Sequence, residues 1–351
     1  MTNGMRTLFL TGASGVVGRA LIDELAPDHE LVCLRHRTPL HDPRVREVSG
    51  SLAEPGLGLD PAEADRLVGR VDAVLHCGAS TGWRASRVEL FAANVEGTRR
   101  ALDFARRIGA TFYHMSTAFV RNSAQDDGRG DGPTAYVASK AAAEELVRQS
   151  GHPALILRPS VFIGDSRDGR ISAFQGIHQV SGGILKDALP VLPADPENLI
   201  DYIPQDVAAK AVRALLERGA EDGEYWLTAG ERAATLGDMV RVTLEVAEDF
   251  GIQTHPPRLM AADAVGRLLL PRLEDMMTPA LRRHFQMQLD LLRLFQHGEA
   301  LPSSLPELGI EITRESQVEA FRHSNEYWVL KSGLGGPATA AATRGVARSA
   351  A

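Results

Sequence analysis

The stretch Thr7–Gly18, TLFLTGASGVVG, runs from a short apolar segment into a turn that contains three glycines. The apolar half predicts a buried strand, and the residues after Gly15 predict the start of a helix. Glycines in such a turn permit a tight bend, a close approach of the backbone to a pyrophosphate, and close packing of the helix on the strand. The predicted contacts to the ligand are Gly12, Ser14, Gly15, Val16, Val17 and Gly18.

The N-terminus of this first helix supplies the binding energy for an anion. Its free N–H groups point toward the turn, so a phosphate can bind there without a charged side chain. A glycine-rich turn in another kind of α/β protein would look similar locally. Its place directly between a strand and a helix favours a dinucleotide-binding site.

Strand-type apolar runs alternate with segments of helical periodicity from Thr7 to about Arg158. Strands are predicted at Thr7–Leu10, Glu30–Leu34, Val45–Val48, Val71–Leu75, Thr111–Met115 and Ala154–Leu157. Helices are predicted at Val16–Leu25, Ala85–Arg107 and Ala135–Gln149, and Asp206–Glu217 with Tyr225–Leu227 returns to the sheet. This alternation predicts an α/β fold, a Rossmann-type doubly wound parallel sheet with helices on both faces. A smaller, mostly helical C-terminal region is expected to bind the substrate.

The domain boundaries follow from where this alternation stops. Residues 1–165 and 201–230 are predicted to form the dinucleotide-binding domain. Residues 166–200 and 231–334, mostly helical from Thr235 to about Phe295, are predicted to form a substrate-binding cap. Residues 335–351 are mainly Ala, Gly, Ser, Thr and Arg, which predicts a disordered tail.

The composition and net charge of the chain limit the binding partners and the cellular compartment that we expect for the protein. The 351 residues are 44% apolar and carry a net charge of −7, which gives no general attraction to nucleic acid or to an anionic membrane. No apolar stretch is long enough to predict a membrane span or a secretory signal. Cys33 and Cys77 lie in apolar runs without disulfide or zinc spacing, and the histidines at 29, 36 and 41 match no ligand set, so no metal site is predicted. We expect a cytoplasmic protein.

The residues after the second predicted strand indicate which dinucleotide is bound. NAD-selective sites commonly place a carboxylate about 20 residues after the first glycine, where it binds the ribose hydroxyls. This sequence instead has Arg35-His36-Arg37 there. A guanidinium can bind a 2′-phosphate with two hydrogen bonds, so Arg35 and Arg37 favour NADPH over NADH. A solvated strand end is the alternative interpretation of these arginines.

Tyr136 and Lys140 form the candidate catalytic pair. They lie four residues apart near the start of a predicted helix and therefore share a face. A phenol with a pKa near ~10 transfers protons poorly at neutral pH. One positive charge at about 4 Å is worth roughly 4 kcal/mol at an effective dielectric of about 20, enough to lower that pKa by about 3 units. The sequence thus predicts that Lys140 lowers the pKa of Tyr136.

A Tyr-x-x-x-Lys spacing is common by chance, and alone it fits an ordinary amphipathic helix. Here the fifth predicted strand ends in Met115-Ser116-Thr117-Ala118, which places hydroxyls at a carboxyl end of the sheet. Ligands of open α/β sheets bind at that edge. Asn94 lies on the preceding long helix. Together these residues favour a catalytic interpretation.

The chain resembles the extended short-chain dehydrogenase/reductase superfamily from about Thr7 to Gly230. Beyond the glycine turn and the Tyr-Lys pair, the resemblance is carried by Val74–Ala79, Asn94–Thr98 and Arg158–Val161. It implies further cofactor contacts by Ser51, Leu52, Cys77, Gly78, Ala79, Tyr136, Lys140, Pro159, Ser160 and Val161. It also implies that Tyr136 donates a proton, that Lys140 holds the cofactor ribose, and that Asn94 positions a water.

Within that superfamily the chain is most similar to the thioester and fatty-acyl reductase branch. The similarity lies in His114–Val120, in Gly56–Leu59 with Trp83, in Arg158–Ser166 and in Asp201–Val207. It implies that Thr117, rather than Ser116, is the catalytic hydroxyl. Two departures concern the ligands: Ser51 stands where the family usually has an aspartate near the adenine, and Ala141 replaces a tryptophan common in carrier-linked reductases.

The resemblance implies reduction of an acyl thioester, bound to a carrier protein or to coenzyme A, to an aldehyde or an alcohol. Three alternatives stay open at this point. They are a ketoreductase acting on a polyketide- or steroid-like ketone, a nucleotide-sugar epimerase or dehydratase, and a non-enzymatic NADP sensor. The expected partner is therefore a small-molecule or carrier-tethered acyl substrate, and a homodimer is left open by the sequence.

Overall fold

The structure is a computed structural model that describes residues 5–82, 84–125, 132–260, 296–297 and 299–334. The chain divides into two compact units. The first comprises Met1–Ser160, Gln205–Thr228 and Pro302–Glu311, and the second comprises Val161–Pro204, Ala229–Leu301 and Ile312–Ala351. The predicted tail at 335–351, the stretch 261–295 of the predicted cap, and Trp83 lie outside the described residues.

The described strands and helices are as follows. The strands are β1 Thr7–Thr11, β2 Glu30–Arg35, β3 Val45–Ser49, β4 Ala73–His76, β5 Thr111–Met115, β6 Ala154–Pro159, β7 Val161–Ile163, β8 Val191–Pro193, β9 Leu199–Ile200, β10 Tyr202–Pro204, β11 Gly223–Leu227, β12 Ala234–Thr235, β13 Arg258–Met260 and β14 Gln296–His297. The helices are α1 Val16–Leu25, α2 Pro61–Leu67, α3 Arg87–Phe91, α4 Gly97–Ile108, α5 Pro133–Arg148, α6 Gly176–Leu185, α7 Gln205–Glu217, α8 Leu236–Asp249 and α9 Arg314–Ser332.

A seven-stranded parallel sheet organises the first unit. Its strand order is β11-β6-β5-β4-β1-β2-β3, and every neighbouring pair is parallel. The direction of the connections reverses between β1 and β4, since the chain moves outward to β3 and then returns to the other side of β1. Ligands of such sheets bind at the carboxyl ends of the strands beside this reversal. The predicted doubly wound Rossmann fold is confirmed.

Helices cover both faces of the sheet because side chains of a strand alternate between its two sides. On one face, Phe9 of β1 and Phe112 of β5 pack with Phe104 of α4 and with residues of α2. On the other face, α1 packs against α7, where Arg213 forms ion pairs with Glu24 and Asp28. The strands buried on both sides are the continuous apolar runs seen in the sequence.

The single long helix predicted at Ala85–Arg107 is interrupted. It consists of α3, a wider π-helical turn at Ala92–Glu96, and α4. Inserted π-helical turns occur frequently at functional sites. Helix α2 was not predicted, although Asp60 caps it by accepting hydrogen bonds from Ala62 and Glu63 N–H groups, a recognisable start signal.

The unit boundaries differ from the predicted division in four short stretches. Residues 302–311, predicted in the cap, belong to the first unit because Ser304 N–H donates to Trp226 O of β11 over 2.8 Å and Trp226 N–H donates to Ser304 Oγ. Residues 161–165, 201–204 and 229–230, predicted in the sheet domain, belong to the second unit. There β10 pairs with β7, and Asp201 accepts hydrogen bonds from two backbone N–H groups at 229 and 230.

The described part of the second unit contains three helices and short strand pairs. Helices α6, α8 and α9 pack on one another, and the ring of Phe321 stacks at 5.4 Å from that of Tyr202. Strand β9 pairs with β12 and β14, and β8 pairs with β13. The structure describes the predicted cap at 166–200, 231–260, 296–297 and 299–334, and this part contains helices α6, α8 and α9 together with short strands. No helix in the described ranges is long and apolar enough to cross a membrane.

Candidate active site

The glycine turn after β1 is tight because two backbones meet there. Gly12 has a φ of +72°, and a Cβ atom at this position would lie 2.6 Å from the carbonyl carbon of Cys77 and from Gly78 N. A Cβ atom at Gly18 would lie 2.3 Å from Gly12 O. Both positions therefore require glycine. Gly12 lets the turn contact the loop after β4, and Gly18 lets helix α1 approach the turn closely.

A cavity of about 1000 Å³ opens on this turn. It is at the upper end of the usual range for ligand pockets. Eight of the predicted cofactor contacts line it: Gly12, Ser14, Arg35, Arg37, Ser51, Leu52, Gly78 and Ala79. Residues that sequence reasoning missed also line it, among them Leu34, His36, Thr38, Leu40, Ala53, Ser80, Glu89, Ala92, Ala93, Glu96 and Arg100.

The remaining predicted contacts lie elsewhere. Gly15 precedes α1, which begins with Val16 and Val17 and contains Gly18. Cys77 follows β4, Pro159 ends β6 and Ser160 comes directly after it, and Val161 starts β7 in the second unit. None of these residues, nor Tyr136 or Lys140 on α5, is among those that line the cavity.

Two observations indicate that the first unit fits a nicotinamide dinucleotide. The glycine turn is a cradle that Cβ atoms would fill, and it opens into a cavity of suitable size. Ser160 is 4% exposed, and its Oγ has no hydrogen-bond partner among the described residues. A buried hydroxyl without a partner is costly, so a bound polar group would stabilise it.

Arg35 and Arg37 differ in their surroundings. Arg35 donates to Ser49 Oγ, and its Nε lies 3.8 Å from a carboxylate oxygen of Glu47. That carboxylate also accepts from Leu40 N–H over 3.2 Å. Arg37 is exposed and lines the same cavity. The charge of Arg35 is thus partly neutralised within the protein.

A chain of hydrogen bonds links the glycine turn to the π-helical turn. Gly78 N–H donates to Thr11 Oγ1, whose hydroxyl lies 2.8 Å from His76 Nδ1. His76 Nε2 lies 3.1 Å from Thr98 Oγ1, which itself donates to Asn94 O. Because the Thr98 hydroxyl donates its proton to Asn94 O, Thr98 Oγ1 must accept a hydrogen bond from His76 Nε2–H. His76 Nδ1 then accepts a hydrogen bond from the Thr11 hydroxyl. Sequence reasoning placed the segment containing His76 near the cofactor but missed this link.

Asn94 joins the loop after β4 to α5. Its Nδ2 donates to Ser80 O over 3.0 Å and to Ser139 Oγ over 2.9 Å, and its Oδ1 accepts from Ser80 N–H over 2.7 Å. Both amide hydrogens are therefore used within the protein. If Asn94 positions a water as predicted, it can do so only by accepting a hydrogen bond from that water at its side-chain or backbone carbonyl oxygen.

Thr117 and Tyr136 are brought together as predicted from the resemblance. Their side chains are hydrogen-bonded, while Ser116 Oγ donates instead to Glu144 over 2.5 Å. Burial raises the pKa of Tyr136 to about 12, and the bond to Thr117 opposes this shift. The predicted lowering of this pKa by Lys140 is not seen, because burial is the dominant cause.

Lys140 is buried, at 2% exposure, and its Nζ donates to Met115 O over 2.7 Å. Burial lowers the pKa of Lys140 to about 8, while the carboxylate of Glu144 acts in the opposite direction. Burial and the nearby ammonium lower the pKa of His76 to about 3. The site thus holds a neutral imidazole and a titratable ammonium. In the part of the chain that the structure describes, no cluster of side chains could hold a metal ion.

A parallel sheet of this strand order, with a glycine turn after β1 and a Tyr-x-x-x-Lys helix beside β5, is the architecture of the extended short-chain dehydrogenase/reductases. A family model described as male sterility protein, NAD_binding_4, matches residues 33–212, just over half of the chain. The chain belongs to this family and is an NAD(P)-dependent oxidoreductase of the extended short-chain dehydrogenase/reductase type.

Curated relatives are much longer proteins. The hybrid PKS-NRPS synthetase poxE of Penicillium oxalicum is 26% identical over 325 residues, which cover 78% of this chain and 8% of the synthetase. The highly reducing polyketide synthase calA of Penicillium decumbens is 30% identical over 289 residues, 74% of this chain and 10% of its own length. The chain spans a tenth or less of these relatives.

Solved structures share the fold. The terminal R domain from the myxalamid PKS-NRPS pathway has a TM-score of 0.70 and 24% identity, covering 95% of this chain and 92% of that domain. The reductase domain of a nonribosomal peptide synthetase from Mycobacterium tuberculosis has a TM-score of 0.67 and 21% identity, with 93% and 92% covered.

The requirement for glycine at position 12 can be tested by measuring the free energy of unfolding of a variant. We expect Gly12→Ala to lower the free energy of unfolding by about 2–5 kcal/mol, because a left-handed conformation and a backbone overlap both oppose the new Cβ. Gly109→Ala is the matched control: its φ is +74°, but a Cβ there meets nothing within 4 Å, so it should cost only about 1 kcal/mol. Urea unfolding of both variants checks this, and equal losses would contradict it.

Proposed function

We propose that this chain is an NADPH-dependent reductase that converts an acyl thioester, tethered to a carrier protein, into an aldehyde. The observation that carries the proposal is the meeting of Thr117, Tyr136 and Lys140 at the carboxyl end of β5. The similarity to stretches of PKS-NRPS synthetases supports a thioester as the substrate class. A solved thiolation-reductase di-domain with the same fold, at a TM-score of 0.65, supports delivery by a carrier.

The side chains suit the protonation step of such a reaction. When bound, NADPH supplies a hydride, so that a thioester, NADPH and a proton give an aldehyde, a thiol and NADP⁺. Tyr136 donates its proton to the carbonyl oxygen as negative charge develops there, and Thr117 supplies a second hydrogen bond. A pKa of about 12 keeps the phenol protonated at neutral pH, as a proton donor requires. The resulting hemithioacetal releases the thiol.

The other predicted residues would hold the cofactor. The glycine turn would bind the diphosphate, and Ser51 with Leu52 would lie by the adenine. Lys140 would hold the nicotinamide ribose as an ammonium. Ser160 Oγ, which has no hydrogen-bond partner among the described residues, would gain a polar contact. We assign dinucleotide binding to the first unit and selection of the acyl group to the second.

A ketoreductase is the second candidate, favoured by one observation. Ala141 follows Lys140 where carrier-linked reductases commonly have a tryptophan. A ketone substrate would consume NADPH without releasing a thiol. An epimerase would show no net consumption of cofactor. Incubation with NADPH, a carrier-bound or coenzyme A thioester, and a free ketone separates the three by products and by loss of NADPH absorbance.

Replacing Tyr136 tests the catalytic assignment. Tyr136→Phe should leave the dissociation constant for NADPH nearly unchanged and lower thioester turnover by about 10²–10⁴-fold, since it removes only the proton donor. Tyr113→Phe is the control, because this buried tyrosine of β5 donates to Ala220 O, outside the site. Turnover of Tyr136→Phe equal to that of the control would remove Tyr136 from the mechanism.

Arg37 is the residue on which we base the preference for NADPH. Arg37→Ala should weaken NADPH binding at least about tenfold, or 1.4 kcal/mol, and leave NADH binding unchanged, because it removes a cation that faces a 2′-phosphate. Arg35→Ala should have a smaller effect, since Glu47 already offsets that charge.

Arg107→Ala controls for the loss of one positive charge, because Arg107 pairs with Asp65 on the surface. Titration of each variant with both dinucleotides gives the ratio of affinities. A loss of the same size for NADH and NADPH would contradict the assignment of Arg37.

A further inference from the structure

Three consecutive residues at the end of β5 each bind helix α5. The pairs are Met115 O with Lys140 Nζ at 2.7 Å, Ser116 Oγ with Glu144 Oε1 at 2.5 Å, and Thr117 with Tyr136 through their side chains. The three helix residues are spaced by four and lie on one face of α5. Two of these pairs contain residues already placed in the reaction, and the third contains Glu144.

Glu144 is buried and fully partnered. It is 2% exposed, and Arg158 of β6 donates to both of its oxygens, over 3.0 Å from Nε and 2.7 Å from Nη2. Arg148 donates to the same carboxylate over 2.7 Å, and both arginines also bind Glu224. Two carboxylates thus balance two guanidinium groups. Glu144 and Arg158 are the buried members of this set, so loss of the Glu144 carboxylate would leave the buried Arg158 guanidinium with only the half-exposed Glu224.

We propose that Glu144 is a positioning residue for the reaction: it holds Ser116, and with it the end of β5, where Thr117 meets Tyr136, and it stabilises the ammonium of Lys140. This inference rests on the proposed function. It extends that function, because Glu144 contacts none of the reacting groups and acts only through its neighbours.

Helix α5 and strands β5 and β6 meet at the Glu144 carboxylate. Ser116 N–H donates to Leu157 O of β6 over 2.7 Å, so β5 and β6 are joined by backbone at this level. Arg158 is the next residue of β6 and binds the same carboxylate as Ser116. Glu144 therefore ties α5 to both strands at one point. A displacement of about 1 Å in a catalytic group can cost about 10²-fold in rate.

Several titratable groups interact electrostatically with Lys140. Among the described residues, the titratable groups that interact with the Lys140 ammonium are Glu144 on α5, His76 and Cys77 at the end of β4, and His114 on β5. Burial raises the pKa of both Tyr136 and Cys77 to about 12. It lowers the pKa of His76 to about 3 and that of His114 well below its usual value. Of these groups, Glu144 acts most strongly against the effect of burial on the pKa of Lys140.

The direction of the pH dependence follows. The ammonium of Lys140 is present below its pKa of about 8 and is lost as the pH rises through it. Activity that needs this charge should fall on the alkaline side. Because the carboxylate of Glu144 favours the charged form, its removal should lower this pKa and move the alkaline limb of the kcat profile to lower pH.

The test compares Glu144→Gln with Glu145→Gln. Glu145 is the adjacent residue of α5, with a side chain 56% exposed and a single ion pair to Arg148 at 3.5 Å. We expect Glu144→Gln to lower kcat for thioester reduction by about 10–10²-fold, with the NADPH dissociation constant within about twofold of the wild type. Its alkaline limb should lie at lower pH than that of Glu145→Gln.

Ser116→Ala provides a second variant that leaves the buried charges in place. It should lower kcat, because the tether to β5 is lost, but leave the alkaline limb where it is. If Glu144→Gln does not fold, the kcat of Ser116→Ala tests whether the contact between Ser116 and Glu144 positions the site. The proposal is overturned if Glu144→Gln, or in its absence Ser116→Ala, matches Glu145→Gln in kcat. Full activity of Tyr136→Phe would instead overturn the proposed function itself, so the two failures are distinguishable.

Discussion

The pairing of the end of β5 with one face of α5 is the constraint on which the site depends. A strand that ends beside a helix can slide along it, and here three successive contacts prevent this, from Met115, Ser116 and Thr117 to residues four apart on the helix. Two of these contacts are made by buried charged groups, which are costly to bury without partners. The same contacts that complete the packing of β5 on α5 therefore set the distance between a hydroxyl and a phenol.

A second set of buried hydrogen bonds connects the glycine turn, where the dinucleotide is expected to bind, with helix α5. It runs from Gly78 through Thr11 and His76 to Thr98 and the π-helical turn, where Asn94 reaches Ser139 of α5. The imidazole in its middle is neutral, so the chain orients groups without adding charge next to the ammonium. The glycine turn and helix α5 are thereby linked by one continuous path of hydrogen bonds. Every side chain in that path is hydrogen-bonded within the protein, which favours a single arrangement.

Much of this could be predicted from local patterns, because apolar runs, glycine turns and i, i+4 spacing depend on neighbours in sequence. The sheet, the glycine turn and the shared face of Tyr136 and Lys140 follow from such patterns. The direction of the Tyr136 pKa does not, since it depends on burial by residues distant in sequence. Nor does the place of residues 302–311, which is decided by hydrogen bonds between Ser304 and Trp226. The roles of His76 and Glu144 are likewise set by partners 22 and 28 residues away.

The proposed function requires that a hydride from NADPH reaches a thioester carbonyl at this site. The most direct measurement uses NADPH carrying deuterium at C4 of the nicotinamide, in each stereochemical form, with a carrier-bound acyl thioester, and determines the label in the product by mass spectrometry. One of the two forms should give an aldehyde, or its alcohol, containing deuterium, with one thiol released for each aldehyde formed. A product without deuterium from both forms, or consumption of NADPH without thiol release, would contradict the claim.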